Sequence, residues 1–240
     1  VDFVHDAYLP GGDGTPLDFP AIGVVDLNGD GALDLYFGNM GAEDRVYLND
    51  GGAPGHFSGR SPDGGVLGTK AATLVDIDGD GRPDALLASS TKGLVLRVGD
   101  GAGGFGEPRP LVGETFERPA YVTFSIAAGD LDGNGTLELY IGNQSVLGDE
   151  AIDQGQPQRP APEQLFLGYG NGTFVEASVL IPSRPIEDFT FLAALWDLDD
   201  DGDLDVFEIN DVRDAADLGS GAAPESFAEG NRLYENQGPR

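Results

Sequence analysis

The sequence predicts an all-β fold, a four-bladed β-propeller, and three observations predict it. One acidic, glycine-rich phrase occurs four times, each copy is flanked by short apolar runs, and helical periodicity is sustained nowhere in the 240 residues. The copies are AIGVVDLNGDGALDLYFGN (21–39), ATLVDIDGDGRPDALLAS (72–89), SIAAGDLDGNGTLELYIGN (125–143) and LAALWDLDDDGDLDVFEIN (192–210). Their first aspartates, Asp26, Asp76, Asp130 and Asp197, recur at spacings of 50, 54 and 67 residues, which suits a propeller blade with loops of variable length.

Each copy reads as an apolar strand, an acidic turn and a second apolar strand. A third strand follows in RVYLND, GLVLRVGD, EQLFLGYG and NRLYEN, then a glycine-rich turn and a fourth strand opening on Phe57, Phe105 or Phe174. Short runs rich in Val, Leu, Tyr and Phe, bounded by Gly, Asp and Asn, are the hairpin signal. One domain over 1–240 is expected, with blades at 20–60, 70–112, 120–182 and 189–240.

The fourth copy stops after its third strand. At the other end of the chain VDFVHDAYLP (1–10) aligns with GTFVEASVLIP (172–182), Phe3 falling on Phe174 and Val4 on Val175. Residues 1–10 are therefore expected to supply the closing strand of the last blade, in cis or in trans. Either removes an exposed strand edge, and donation in trans would link copies of the chain into a head-to-tail filament.

The formal net charge is −29, from 42 acidic and 13 basic residues. Such a surface repels phosphate backbones and anionic lipid heads, so no nucleic acid partner is expected. No apolar run approaches the roughly 20 residues of a membrane span, so membrane insertion is not expected either. With no cysteine, disulfides and thiol chemistry are excluded. The chain starts at Val1 with no signal peptide and reads as a processed or excised piece.

The acids are spaced for a cation. Each turn fits Asp-x-[Asp/Asn]-x-[Asp/Asn]-Gly-x-x-[Asp/Glu], and Ca²⁺ takes 6–8 oxygens in a shell of radius about 2.3–2.6 Å. Positions 1, 3 and 5 converge, Gly at position 6 permits the turn, position 7 offers its carbonyl, and position 9 closes the shell. The expected ligands are Asp26, Asn28, Asp30, the Ala32 carbonyl and Asp34; Asp76, Asp78, Asp80, the Arg82 carbonyl and Asp84; Asp130, Asp132, Asn134, the Thr136 carbonyl and Glu138; and Asp197, Asp199, Asp201, the Asp203 carbonyl and Asp205. Four Ca²⁺ ions would offset eight of the net negative charges. Mg²⁺ is disfavoured because it retains waters, and an all-oxygen set excludes soft metals.

DLNGDGALD, DIDGDGRPD, DLDGNGTLE and DLDDDGDLD, with trailing strands such as NRLYENQG and GYGNGTF, resemble the FG-GAP/VCBS repeat family, which includes the propeller of integrin α subunits and many secreted bacterial proteins. The resemblance covers nearly the whole chain. It implies a propeller with Ca²⁺ in the hairpin between the first two strands of each blade. Two features depart from the integrin pattern: four repeats stand where seven blades are usual, and FGN, IGN or EIN replaces Gly-Ala-Pro at the end of the second strand. Integrin-type ligand recognition is therefore not carried over.

No enzyme is expected. His5 and His56 lack a nucleophile or metal context, and no G-x-S-x-G elbow, HExxH or P-loop occurs. Long insertions at 144–163 and 211–230, between second and third strands, are expected on the face opposite calcium, with Arg159, Arg213 and Phe227 as ligand contacts. Trp196 reads as core, and sequons occur at Asn134, Asn143 and Asn171. The expected function is a non-catalytic extracellular calcium-binding module for adhesion, scaffolding or self-assembly. Its partners would be a protein or glycan at the cell surface, or copies of itself. A lectin-like propeller or a hydrolase-associated domain is the alternative.

Overall fold

The computed structural model describes residues 21–39, 42–52, 55–60, 66–116, 121–146, 160–182, 189–211 and 230–238. The expected closing strand at 1–10, most of both long insertions, and the expected contacts Arg159, Arg213 and Phe227 lie outside the described residues. Two compact units divide the chain, residues 1–119 and 120–240.

The first unit holds two antiparallel sheets, each in simple up-and-down order. Sheet 1 comprises β1 (Ile22–Val25), β2 (Asp34–Phe37), β3 (Arg45–Asn49) and β4 (Phe57–Arg60); sheet 2 comprises β5 (Thr69–Val75), β6 (Asp84–Ser89), β7 (Gly93–Arg97) and β8 (Arg109–Pro110). The second unit repeats the plan. Sheet 3 comprises β9 (Tyr121–Gly129), β10 (Glu138–Val146), β11 (Gln164–Gly168) and β12 (Phe174–Glu176), followed by a 3-10 turn at Ser178–Leu180; sheet 4 comprises β13 (Phe189–Trp196), β14 (Asp205–Asp211) and β15 (Arg232–Tyr234). Sheet 4 has three strands among the described residues, as its sequence predicts.

Two elements differ from the sequence reading. The fourth strand expected to open on Phe105 shrinks to an isolated bridge between Gly99 and Phe105 and a two-residue β8. The carbonyls of Phe105 and Gly106 are taken by the buried Arg97 guanidinium, at 3.1 and 2.8 Å, and Pro108 and Pro110 have no N–H to donate. The insertion expected from Gln144 starts later, because β10 continues through Val146 across two register shifts opposite β9.

Side chains alternate across each sheet, and the two faces have distinct uses. The front face carries the residue two after the closing acid of the turn: Tyr36 in sheet 1, Tyr140 in sheet 3. Gly23 and Val46 flank Tyr36 in register, and Ala127 and Leu165 flank Tyr140. In both units the front face of one sheet packs on the back face of the next. Tyr36, Val46 and Val25 share a core with Leu74, Ala85, Leu87 and Val95 of sheet 2. Tyr140, Ala127 and Leu165 share one with Ala193, Leu195 and Val206 of sheet 4. Contact is close enough that a Cβ on Gly23 would stand 2.5 Å from Leu74 Cδ1, and one on Gly129 would stand 2.7 Å from Leu204 Cδ1.

The residue ending the second-strand phrase closes the following loop. Asn39 Nδ2 donates to the Glu43 carbonyl at 2.8 Å, Asn143 Nδ2 to Pro162 at 2.8 Å and Asn210 Nδ2 to Gly230 at 3.0 Å. Asn143 is thereby fully buried, so its sequon is sealed in the folded protein.

Candidate metal centre

All four acidic turns adopt one hydrogen-bonded form, dictated by the spacing of their acids. The position 1 carboxylate accepts the position 6 amide: Gly31 N–H to Asp26 at 2.8 Å, Gly81 to Asp76 at 2.8 Å, Gly135 to Asp130 at 2.9 Å and Gly202 to Asp197 at 3.0 Å. Position 5 accepts the position 7 amide, from Ala32 to Asp30, Arg82 to Asp80, Thr136 to Asn134 and Asp203 to Asp201, at 2.7–3.0 Å. These bonds turn the side chains inward over the loop. The turn needs a left-handed residue at position 4, supplied by Gly29, Gly79 and Gly133 with φ of 71–78°; in the fourth turn Asp200 holds φ 62° instead.

The position 9 acids differ from the rest because they are buried: Asp34, Asp84, Glu138 and Asp205 are at most 1% exposed. One oxygen of each accepts the position 2 amide, of Leu27, Ile77, Leu131 or Leu198, at 2.8–2.9 Å. In sheets 1, 2 and 4 the other oxygen accepts an amide at the end of the third strand, from Asn49, Gly99 or Asn236, each at 2.8 Å. The closing acid thus ties the turn to two strands. In sheet 3 the equivalent Gly168 amide still favours the charged form of the longer Glu138, but the buried Oε1 has no hydrogen bond of normal geometry.

Neighbouring sheets brace the turns. Gly103 N–H of sheet 2 donates to the Leu27 carbonyl at 3.2 Å, and Asn236 Nδ2 of sheet 4 donates to the Leu131 carbonyl at 2.7 Å. Both carbonyls occupy position 2 of the preceding turn.

Three of the turns bring acids together tightly enough for one ion. Carboxylate oxygens of Asp76, Asp78 and Asp84, of Asp130, Asp132 and Glu138, and of Asp197, Asp199 and Asp201 lie within 4.8 Å of one another in each group. Two oxygens on one Ca²⁺ at about 2.4 Å can be no farther apart than about that distance. In the first turn Asn28 occupies position 3, its Nδ2 donating to Asp30 at 2.9 Å. The donor set fits a hard cation: every side-chain donor is oxygen, and Glu138 Oε1 is an acceptor left for one. Burial raises the Asp84 and Glu138 carboxyls above their usual range, against the pull of backbone amides. Hydrogen bonding, the Gly31 amide foremost, holds Asp26 below it.

His56 is exposed and pairs its Nδ1 with Asp50 in the turn before β4. Trp196 corrects its sequence reading: it is 68% exposed at the end of β13. Sequence reasoning also missed Asp44 and Glu163, acids standing just before β3 and β11 and buried between sheets. Their shared place relative to Tyr36 and Tyr140 was the available signal.

The family model for the FG-GAP-like repeat matches residues 26–87 and 76–141. No curated protein matches in sequence. Among solved structures, an Agrocybe aegerita lectin, described for specific recognition of non-reducing terminal N-acetylglucosamine, is 20% identical with a TM-score of 0.49, over 82% of this chain and 48% of its own. The Photorhabdus luminescens Tc holotoxin pore is 19% identical with a TM-score of 0.48, over 79% of this chain and 8% of its own. This chain therefore spans about half the length of the first and less than a tenth of the second.

Proposed function

The chain belongs to the FG-GAP-like repeat family through residues 26–87 and 76–141, and on that premise we propose that it is a non-catalytic, extracellular, calcium-stapled scaffold or adhesion module. The four sheets are blades of a β-propeller, the last completed by residues 1–10. Its partners are proteins or glycans at a cell surface, or copies of the same chain. The observation that carries the reading is the recurrence of one hydrogen-bonded acidic turn in all four sheets, with oxygens gathered within 4.8 Å in three of them.

The ligands are those the repeat spacing names: in the first turn Asp26, Asn28, Asp30 and Asp34 with the Ala32 carbonyl, and their equivalents in the other three. Bound Ca²⁺ supplies the positive charge that cancels repulsion among three or four acidic groups. The protein supplies the geometry. Backbone amides aim positions 1 and 5 inward, and the buried position 9 acid fixes the turn to the first and third strands. A third of the acids in the chain, 14 of 42, are thereby engaged as turn ligands, and the chain's two histidines have no catalytic context. Among the described residues no helix is long and apolar enough to cross a membrane.

The test is a calcium titration with a stability readout. Isothermal titration of metal-free protein should give a stoichiometry near four, and excess EGTA should lower the melting temperature sharply. A melting temperature unchanged by EGTA would overturn the stapling role.

A further inference from the structure

We propose that Asn236 couples the third and fourth acidic turns, so that an ion bound in one raises the affinity of the other. Coupling of this kind deepens the calcium reading of the turns and rests on it. Both turns lie in the second unit.

Asn236 is half-buried and stands two residues beyond β15. Its backbone N–H donates at 2.8 Å to Oδ1 of Asp205, the closing acid of the fourth turn. Its side-chain Nδ2 donates twice, to the Leu204 carbonyl at 3.1 Å and to the Leu131 carbonyl at 2.7 Å. Its Oδ1 accepts the Gly238 amide at 3.2 Å, so the side chain is held at both ends. Leu131 lies between Asp130 and Asp132, the position 1 and position 3 acids of the third turn. The Leu131 N–H donates in turn to Oε2 of Glu138, the closing acid of that turn, at 2.8 Å. Two residues, Asn236 and Leu131, therefore join the closing acids of both turns.

Without a cation the acids of each turn repel one another. With an ion in the fourth turn, Asp205 is held in place and fixes the Asn236 backbone. Nδ2 then already faces the Leu131 carbonyl, and the segment from Asp130 to Asp132 is ordered before its own ion arrives. Ordering shared by two sites costs free energy once, which makes their binding cooperative. Linkage makes the effect equal in both directions.

The first unit makes the same connection through backbone. Gly99 N–H donates to Asp84 Oδ1 at 2.8 Å, Gly103 N–H to the Leu27 carbonyl at 3.2 Å, and Leu27 N–H to Asp34 Oδ2 at 2.9 Å. Asp100 Oδ1 accepts the Ala102 and Gly104 amides at 2.7 and 2.8 Å, which stiffens the stretch from Gly99 to Gly103. The second unit routes its link through a side chain, so a substitution at Asn236 can cut it.

Calcium titrations of the full chain, followed by the fluorescence of Trp196, test this. Trp196 is the chain's only tryptophan and immediately precedes Asp197, so the phase that Asp197→Asn removes reports the fourth turn. Asp130→Asn, in the third turn, should weaken that phase about threefold to tenfold, the weight of one or two net hydrogen bonds. In an Asn236→Ala background the same substitution should shift it less than about twofold, because the link is already cut. A merely structural loss at Asn236 would lower affinity and leave the Asp130 effect intact. Asn236→Ser, too short to reach Leu131, repeats the cycle with a smaller change of surface, and circular dichroism in EGTA checks that each variant is folded.

Fourth-turn affinity unchanged by Asp130→Asn overturns the coupling and leaves the calcium reading standing. An Asp130 effect undiminished in the Asn236 variants is charge acting through space, and overturns the role of Asn236. A titration with no phase for Asp197→Asn to remove overturns the calcium reading of this turn and the coupling together.

Discussion

Thr69 Oγ1, on the first strand of sheet 2, donates to Asp44 Oδ2, just ahead of the third strand of sheet 1, at 2.9 Å. The second unit makes the same link: Thr190 Oγ1 donates to Glu163 Oε1 at 2.6 Å. A carboxylate buried between two sheets is thus part of the repeat. In sheet 1 it also receives the Tyr36 hydroxyl and the Asn39 amide.

Burial pushes the Asp44 carboxyl up from the ordinary 3.8 to about 6; hydrogen bonds from Tyr36, Asn39 and Thr69 and the charge of Arg97 pull the other way. The folded state then holds this proton more tightly than the unfolded chain. The group therefore adds stability below its unfolded value and loses it as pH rises through about 6. Asp44→Asn removes the titration. Its melting temperature relative to wild type, measured in EGTA, should shift in the variant's favour between about pH 4 and about pH 7. A constant difference would refute the assignment.

Asp84 and Asp78 should separate stapling by hydrogen bonds from stapling by metal. Asp84 accepts the Ile77 and Gly99 amides in a buried position, so Asp84→Ala should cost about 2–4 kcal/mol even in EGTA. Asp78 lacks that burial, and Asp78→Ala should matter chiefly when calcium is present. Chemical denaturation of both variants with and without EGTA reads the contrast.

The turns should also differ in affinity. Side-chain ligand charge is −3 in the first and third turns and −4 in the second and fourth, which ranks the second and fourth tighter. Titrations of proteins carrying a position 1 Asp→Asn change in one turn at a time assign each site. A third site that proves tightest would reverse the ranking.

Asp200 holds a left-handed backbone where the other three turns have glycine. Asp200→Gly should stabilise the protein by about 1 kcal/mol or less, because aspartate tolerates this region better than most residues. Equilibrium denaturation in saturating calcium measures it, and a clear loss of stability would show that the Asp200 side chain contributes elsewhere.

The repeat made four sheets and their acidic turns legible, since alternation and turn chemistry are local. Residues whose fate depends on a neighbouring sheet were not legible. Trp196 sits at the position of Val25 and Gly129, both covered by the next sheet, and its apolar surroundings read as core. Among the described residues of the second unit no further sheet follows sheet 4 to cover it. Asp44 looked like one more surface acid among 42, because nothing nearby in sequence announces that Thr69 will meet it. The fourth strand of sheet 2 failed for a similar reason, its carbonyls going to Arg97 across the sheet.

The asparagine that closes each second-to-third-strand loop has a consequence for how such proteins diversify. Its side chain spans 4 residues at Asn39 but 19 at Asn143 and 20 at Asn210, always with one bond to the returning backbone. Loop length then enters stability mainly through closure entropy, about 0.6 kcal/mol per doubling. Evolution can exchange the contents of the loop as a cassette while the neck stays the same, and a protein engineer grafting a foreign peptide between Asn143 and Pro162 would inherit that tolerance.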